Sequence, residues 1–158
     1  MTEIIIDGAN VASINGTKKR SVRRIEIAIG QLDSKADCVK AVLPSHWNKH
    51  KKRILVDPDI LDKLVRENKI EFVNKDDDFY MIKNCVMKDS YLLTNDKLRD
   101  HRTKDWWTPT HEKWAKIHLL DYEIINETLL LSEKSERTLN RASIDLHNHP
   151  TQIKMEVE

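Results

Sequence analysis

Ile4-Ile5-Ile6 is a run of three β-branched residues closed at once by Asp7-Gly8. β-Branched side chains fit strands, and successive residues of a strand face opposite sides of a sheet. A strand apolar on both sides needs cover on both sides, which is the condition of a strand inside a parallel sheet sandwiched between helices. The pattern recurs at Cys38-Val39-Lys40-Ala41-Val42-Leu43, ended by Pro44, at Ile70 to Val73, and at Tyr91-Leu92-Leu93-Thr94.

Between these runs the apolar residues fall at helical spacing. Val22, Ile25, Ile29 and Leu32 mark a helix over Ser21 to Leu32 with Ser21 as its N-cap. Ile60, Leu61, Leu64 and Val65 form the buried stripe of a helix opened by Pro58, capped by Asp57 and running to about Asn68. Asp77 and Asp78 open a helix whose apolar face includes Ile82, Cys85 and Val86, and a short helix is expected near Lys97–Asp105. Tyr122–Ile125 and Leu129–Leu131 read as two closing strands around Asn126-Glu127. Strands alternating with helices specify an α/β domain with a mainly parallel central sheet flanked by helices.

The chain has 158 residues, enough for one domain with a core of its own. Residues 1–132 carry the alternating pattern, and 133–158 read as a polar, helical or flexible tail, with a helix expected over Ser132–Ala142. The 27 basic and 26 acidic residues nearly cancel, so bulk charge points to no partner and the placement of the charge decides. Cys38 and Cys85 lie in apolar stretches and form no metal-ligand pair, which suits free thiols in a reducing cytoplasm and gives structural zinc no ligands. No apolar run reaches the ~20 residues that span a bilayer, and Met-Thr-Glu leads straight into a strand without a signal peptide. A soluble, cytoplasmic protein is expected.

In a parallel sheet, function gathers outside the carboxyl ends of the strands. Asp7 directly follows the first strand, Asp77 and Asp78 follow the third after a short loop, and Asp96 follows the fourth. Asp100 lies four residues beyond Asp96, one helical turn on along the same face. Each of these aspartates alone reads most simply as a helix cap. Their recurrence at one end of successive strands tells for a shared site. Crowded carboxylates repel one another, and a divalent cation with oxygen ligands resolves the repulsion; Mg²⁺ or Mn²⁺ suits such a set. Such a centre performs phosphodiester chemistry through an activated water and a stabilised leaving oxygen.

These motifs carry a resemblance. Ile4-Ile5-Ile6-Asp7-Gly8-Ala9-Asn10-Val11-Ala12 resembles the opening of NYN domains, the PIN-like nucleases. Asp77-Asp78 followed by Thr94-Asn95-Asp96-Lys97-Leu98-Arg99-Asp100 resembles the Regnase (MCPIP) branch, as does Leu43-Pro44-Ser45-His46-Trp47. So does the closing stretch of Trp114, Tyr122, Ile125-Asn126 and Leu129-Leu130. The resemblance covers about Glu3 to Leu131. It implies a Rossmann-like PIN fold and metal-dependent endonucleolytic cleavage of single-stranded RNA. The implied metal-site acids are Asp7, Asp77, Asp78, Asp96 and Asp100. Asn10 would orient a ligand or water, and Arg23 would bind substrate phosphate. The zinc finger that follows the nuclease domain in the animal relatives has no cysteines to form it here.

Lys18-Lys19-Arg20 with Arg23 and Arg24, and Lys51, Lys52 and Arg53 after the second strand, form basic clusters at the same end of the sheet. They read either as a phosphate-tracking rim or as ordinary solvated loops. Trp47, Trp106 and Trp107 lie in or beside these loops and are candidates for stacking bases, with core packing as the other reading. Three further functions stay open at the level of residues. One is a binding module that holds RNA or a protein without cutting. Another is a nuclease acting on DNA, since nothing in the sequence detects a 2′-hydroxyl. The third is a haloacid-dehalogenase-type phosphatase, weakened by Ala9 standing where that chemistry needs a second aspartate. The Leu129-Leu130-Leu131 edge leaves a homodimer open.

Overall fold

In the structure, a computed structural model, residues 1–74 and 78–148 are described, with side chains through residue 142. The elements run β1 (Glu3–Asp7), α1 (Gly8–Val11), α2 (Val22–Leu32), β2 (Cys38–Pro44), α3 (His46–Lys49), α4 (Lys51–Ile54), α5 (Pro58–Arg66) and β3 (Ile70–Val73). They continue with α6 (Phe79–Lys88), β4 (Tyr91–Leu93), a 3₁₀ turn (His101–Thr103), α7 (Pro109–His118), β5 (Leu119–Leu120), β6 (Tyr122–Ile125), β7 (Thr128–Leu131) and α8 (Glu133–Asn148).

Five strands form a parallel sheet in the order β3-β2-β1-β4-β5, with β1 at its centre. The three isoleucines divide as the pleat requires. Ile4 and Ile6 enter a core built with Val22, Ile25 and Leu32 of α2 and Leu61 and Leu64 of α5. Ile5 enters a second core on the other face, with Met81, Ile82 and Cys85 of α6 and Trp114 and Ala115 of α7. Burying each isoleucine contributes roughly 1.5–3 kcal/mol. Chain order reverses between β1 and β4, and this switch point is where a doubly wound sheet opens a crevice at its carboxyl edge.

Gly8 is required there by space. A Cβ on it would collide with Leu43 Cδ2 and stand 2.7 Å from the Val42 carbonyl oxygen. Only glycine lets the turn after β1 press onto β2 and keep Asp7 at the edge.

Several sequence expectations change. Asp57 makes no side-chain cap on α5. Its carboxylate crosses to α2, accepting from the N–H groups of Val22 (2.8 Å) and Arg23 (2.9 Å) and from the Ser21 hydroxyl (2.8 Å). Ser21, the expected cap of α2, makes no cap bond of its own and instead supports the carboxylate that does. Val65, expected in the buried stripe of α5, is 39% exposed.

The helix expected over Lys97–Asp105 is only the 3₁₀ turn. The backbone turns left-handed at Leu98 (φ 59°), because the Leu98 side chain is buried in the second core while Asp96 Oδ1 accepts the Leu98 N–H at 2.8 Å. Asp96 and Asp100 therefore do not share a helical face.

Trp47, a candidate base-stacking residue, is 5% exposed and packs in the first core. Helix α7 and strand β5 were not anticipated. Thr108, Pro109 and the reciprocal Thr108–His111 capping box start that helix. β6 and β7 form an antiparallel hairpin whose turn residues Asn126 and Glu127 both have positive φ, as a primed two-residue turn demands. α8 follows at once and delivers Leu139 to the first core. No helix of the described residues is long and apolar enough to cross a membrane.

Candidate active site

The carboxyl edge at the switch point gathers Asp7 from β1, Asp78 from the start of α6, and Asp96 with His101 from the loop after β4. One ligand atom each from Asp78, Asp96 and His101 lie within 4.8 Å of one another, and His101 Nε2 stands 3.2 Å from Asp78 Oδ2. Asp78 occupies the N-cap position of α6 yet makes no side-chain cap bond, which leaves its carboxylate to the cluster. Asp7 is buried. Burial, then the charges of Asp78 and Asp96, push its carboxyl up from 3.8 to about 6, against the opposing hydrogen bonds from Thr94 and Asn10. A dry carboxylate facing two others is the arrangement that a cation stabilises.

A hydrogen-bond frame fixes these groups. The Thr94 hydroxyl donates to Asp7 Oδ2 at 2.9 Å and accepts the Asp96 N–H at 3.1 Å, linking the two acids through one side chain. Asn10 N–H donates to Asp7 Oδ1 at 3.3 Å. Asn10 Oδ1 accepts from the Tyr122 hydroxyl (2.9 Å) and the Asn95 N–H (3.0 Å), so its NH₂ is the end left for other partners. The Asn95 side chain in turn holds the Tyr122 backbone at both its N–H and its carbonyl, each at 3.0 Å.

The predicted acids are thus partly assembled. Asp7, Asp78 and Asp96 meet at the edge. Asp100 lines an open cavity of about 420 Å³ together with Asp96, Lys97, Arg99 and His101, without joining the close cluster. Asp77 lies outside the described residues. His101 was missed by sequence reasoning, although its place directly after Asp100 in the same loop was the available signal.

The basic candidates divide. Arg23 is engaged with Glu26 and Glu127, Glu26 also takes Lys63, and Lys51 pairs with Asp62 at 2.6 Å. Arg24 donates from Nε to the Val11 carbonyl at 2.7 Å. Lys18, Lys19, Lys52 and Arg53 stay exposed. Backbone bonds from Arg20 to Ile54 and from Val56 to Arg20 tie the two basic segments side by side. Trp106 and Trp107 are both half-buried, packed on each other, on His111 and, for Trp106, on Phe79 at 4.9 Å.

A five-stranded parallel sheet flanked by helices is the architecture of an NYN/PIN-like domain. The chain belongs to the Zc3h12a-like ribonuclease NYN domain family, whose pattern matches residues 1–146 and so runs into α8. Among solved structures it is similar in fold to two of nuclear protein-only RNase P 2 from Arabidopsis thaliana. The TM-scores are 0.66 and 0.67 at 19% identity, covering 83% and 85% of this chain but only 29% and 30% of those proteins. Among curated protein sequences, none matches.

Proposed function

We propose that this domain is an endoribonuclease that hydrolyses single-stranded RNA with Mg²⁺ or Mn²⁺ held at the carboxylate edge. The observation that carries the reading is the convergence of Asp7, Asp78 and Asp96 on one edge, with the proton affinity of Asp7 raised first by its burial and then by the charges of Asp78 and Asp96. Hard oxygen donors beside one imidazole suit either ion. Asp7, Asp78 and Asp96 would hold it, with Asp77 and Asp100 in support. When bound, the ion supplies an activated water and charge neutralisation at the leaving oxygen.

The protein's own groups do the rest. Thr94 keeps Asp7 and Asp96 in a fixed relation. Asn10, its Oδ1 held by Tyr122 and Asn95, has its NH₂ left as a donor to a phosphate oxygen or a water. His101 hydrogen-bonds Asp78, and its position at the cavity wall suits proton transfer to a departing oxygen. Lys97 and Arg99 line the same cavity and offer phosphate contacts.

Incubating purified protein with matched single-stranded RNA and DNA oligonucleotides tests this. Internal cuts are expected in RNA with Mg²⁺ or Mn²⁺, lost in EDTA and in Asp96→Asn. Intact RNA with either metal, from protein whose fold is verified by circular dichroism, sinks the reading. Cutting of the DNA strand at an equal rate removes its RNA specificity.

A further inference from the structure

Two grooves continue from the carboxylate edge along α7 and α8. The first, of about 230 Å³, starts at Asn95, Asp96 and Lys97 and reaches Lys116 and Lys134. The second, of about 440 Å³, takes up at Lys116 and Lys134 and follows α8 past Arg137 to Arg141. The shared residues make one path. On α8 the cations stand at positions 134, 137 and 141, the spacing that puts side chains on one helical face.

Part of the charge along this path is uncommitted. Arg102 pairs with Glu112 and Arg137 with Glu133. Lys116, Lys134 and Arg141 are exposed and have no ion-pair partner among the described residues. The acid on the way, Asp121, is already occupied by the hydroxyls of Ser132 and Ser135. Ile117, 48% exposed, and Tyr91 add apolar surface to the second groove, where bases can rest. In the basic loops Arg23 and Lys51 are committed to carboxylates while Lys18, Lys19, Lys52 and Arg53 stay exposed, but no groove joins those loops to Asp96 among the cavities lined by Asp96.

We propose that this path is a phosphate track, binding the single-stranded RNA that extends beyond the cleavage site through Lys116, Lys134 and Arg141. It rests on the ribonuclease reading, because that reading places a phosphodiester at Asp96, where the path begins. Each lysine–phosphate contact on a single strand adds about 0.7 to the slope of log affinity against log salt. Removing two contacts then weakens binding by about 25-fold at ~0.1 M salt and flattens the slope by about 1.4.

The test measures binding of fluorescent RNA of about 20 and about 6 nucleotides to the full chain in EDTA, by anisotropy across a salt series, alongside cleavage in Mn²⁺. The variants are Lys116→Ala/Lys134→Ala and, as a charge-matched control on the β2–β3 side of the sheet, Lys35→Ala/Arg66→Ala. Support is a large loss and a flatter slope on the long RNA for the first pair only, with KM raised and kcat kept, and little change on the short RNA. Unchanged affinity and slope on the long RNA overturn the track while active wild-type protein leaves the ribonuclease reading standing. Wild-type protein that neither binds nor cuts RNA overturns both. Equal loss in the control pair overturns the track in favour of undirected charge attraction.

Discussion

Replacing Asp7 with asparagine should abolish RNA cleavage and at the same time make the metal-free protein more stable. Asp7 is 7% exposed, and its carboxyl is pushed up to about 6 from the ordinary 3.8, by burial first and then by Asp78 and Asp96. The native state therefore holds this proton more tightly than the unfolded chain does. The sign follows: stability on this account is fullest below about pH 4, falls as pH rises through about 6, and is flat above. A difference of about two pKa units corresponds to about 3 kcal/mol lost by neutral pH. Asparagine has no charge to lose but only one acceptor oxygen, whereas Asp7 accepts from both Thr94 and Asn10, so the exchange costs about 1 kcal/mol. The net gain is about 2 kcal/mol near pH 7, or roughly 4–8 °C in melting temperature for a chain of this size. Thermal melts in EDTA near pH 7 and near pH 4 measure it. The gain should vanish in acid. Added Mn²⁺ should raise the wild-type melting temperature and not that of the variant, with about 2.7 kcal/mol expected at a hundredfold excess over Kd. An Asp7→Asn protein that melts at or below wild type near pH 7 in EDTA refutes the electrostatic account.

Tyr122→Phe removes one of two donors to Asn10 Oδ1; stability should fall by only about 1 kcal/mol, while kcat drops on the order of tenfold with KM kept, as steady-state cleavage kinetics will report. Asp57→Ala strips two N–H groups at the start of α2 of their acceptor and should cost about 2 kcal/mol or more, seen as a lower urea midpoint with activity per folded molecule unchanged. His101→Ala should weaken Mn²⁺ binding, read by calorimetry, and reduce cleavage at saturating metal, whereas removal of the neighbouring exposed Arg99 should act on KM.

The sheet was legible because its signal is local: a β-branched run, a breaker, a helical stripe, repeated. Asp7 and Asp96 were legible because each stands at the end of such a run. His101 was hidden by the assumption that Asp96 and Asp100 share a helix, which the buried, left-handed Leu98 forbids. Asp57 looked like a local cap, and its partners lie across the chain at Val22 and Arg23. Trp47 sits in a basic, polar stretch and is nonetheless core, because burial depends on how α3 lies against β2 rather than on its neighbours in sequence. The α7–α8 path went unseen for the same reason, since Lys116 and Lys134 meet only after the hairpin folds back.

Leu98 separates two design tasks that usually conflict. Its side chain plugs into the second core and anchors the loop, while the residues on either side, Lys97 and Arg99, face the cavity. The chemistry is thus pinned from below by a hydrophobic peg, and the recognition surface rides on top. Substitutions at positions 97 and 99 should therefore leave Asp96 and His101 in place, which makes this loop the place where the charge of the cavity can be retuned apart from the acids.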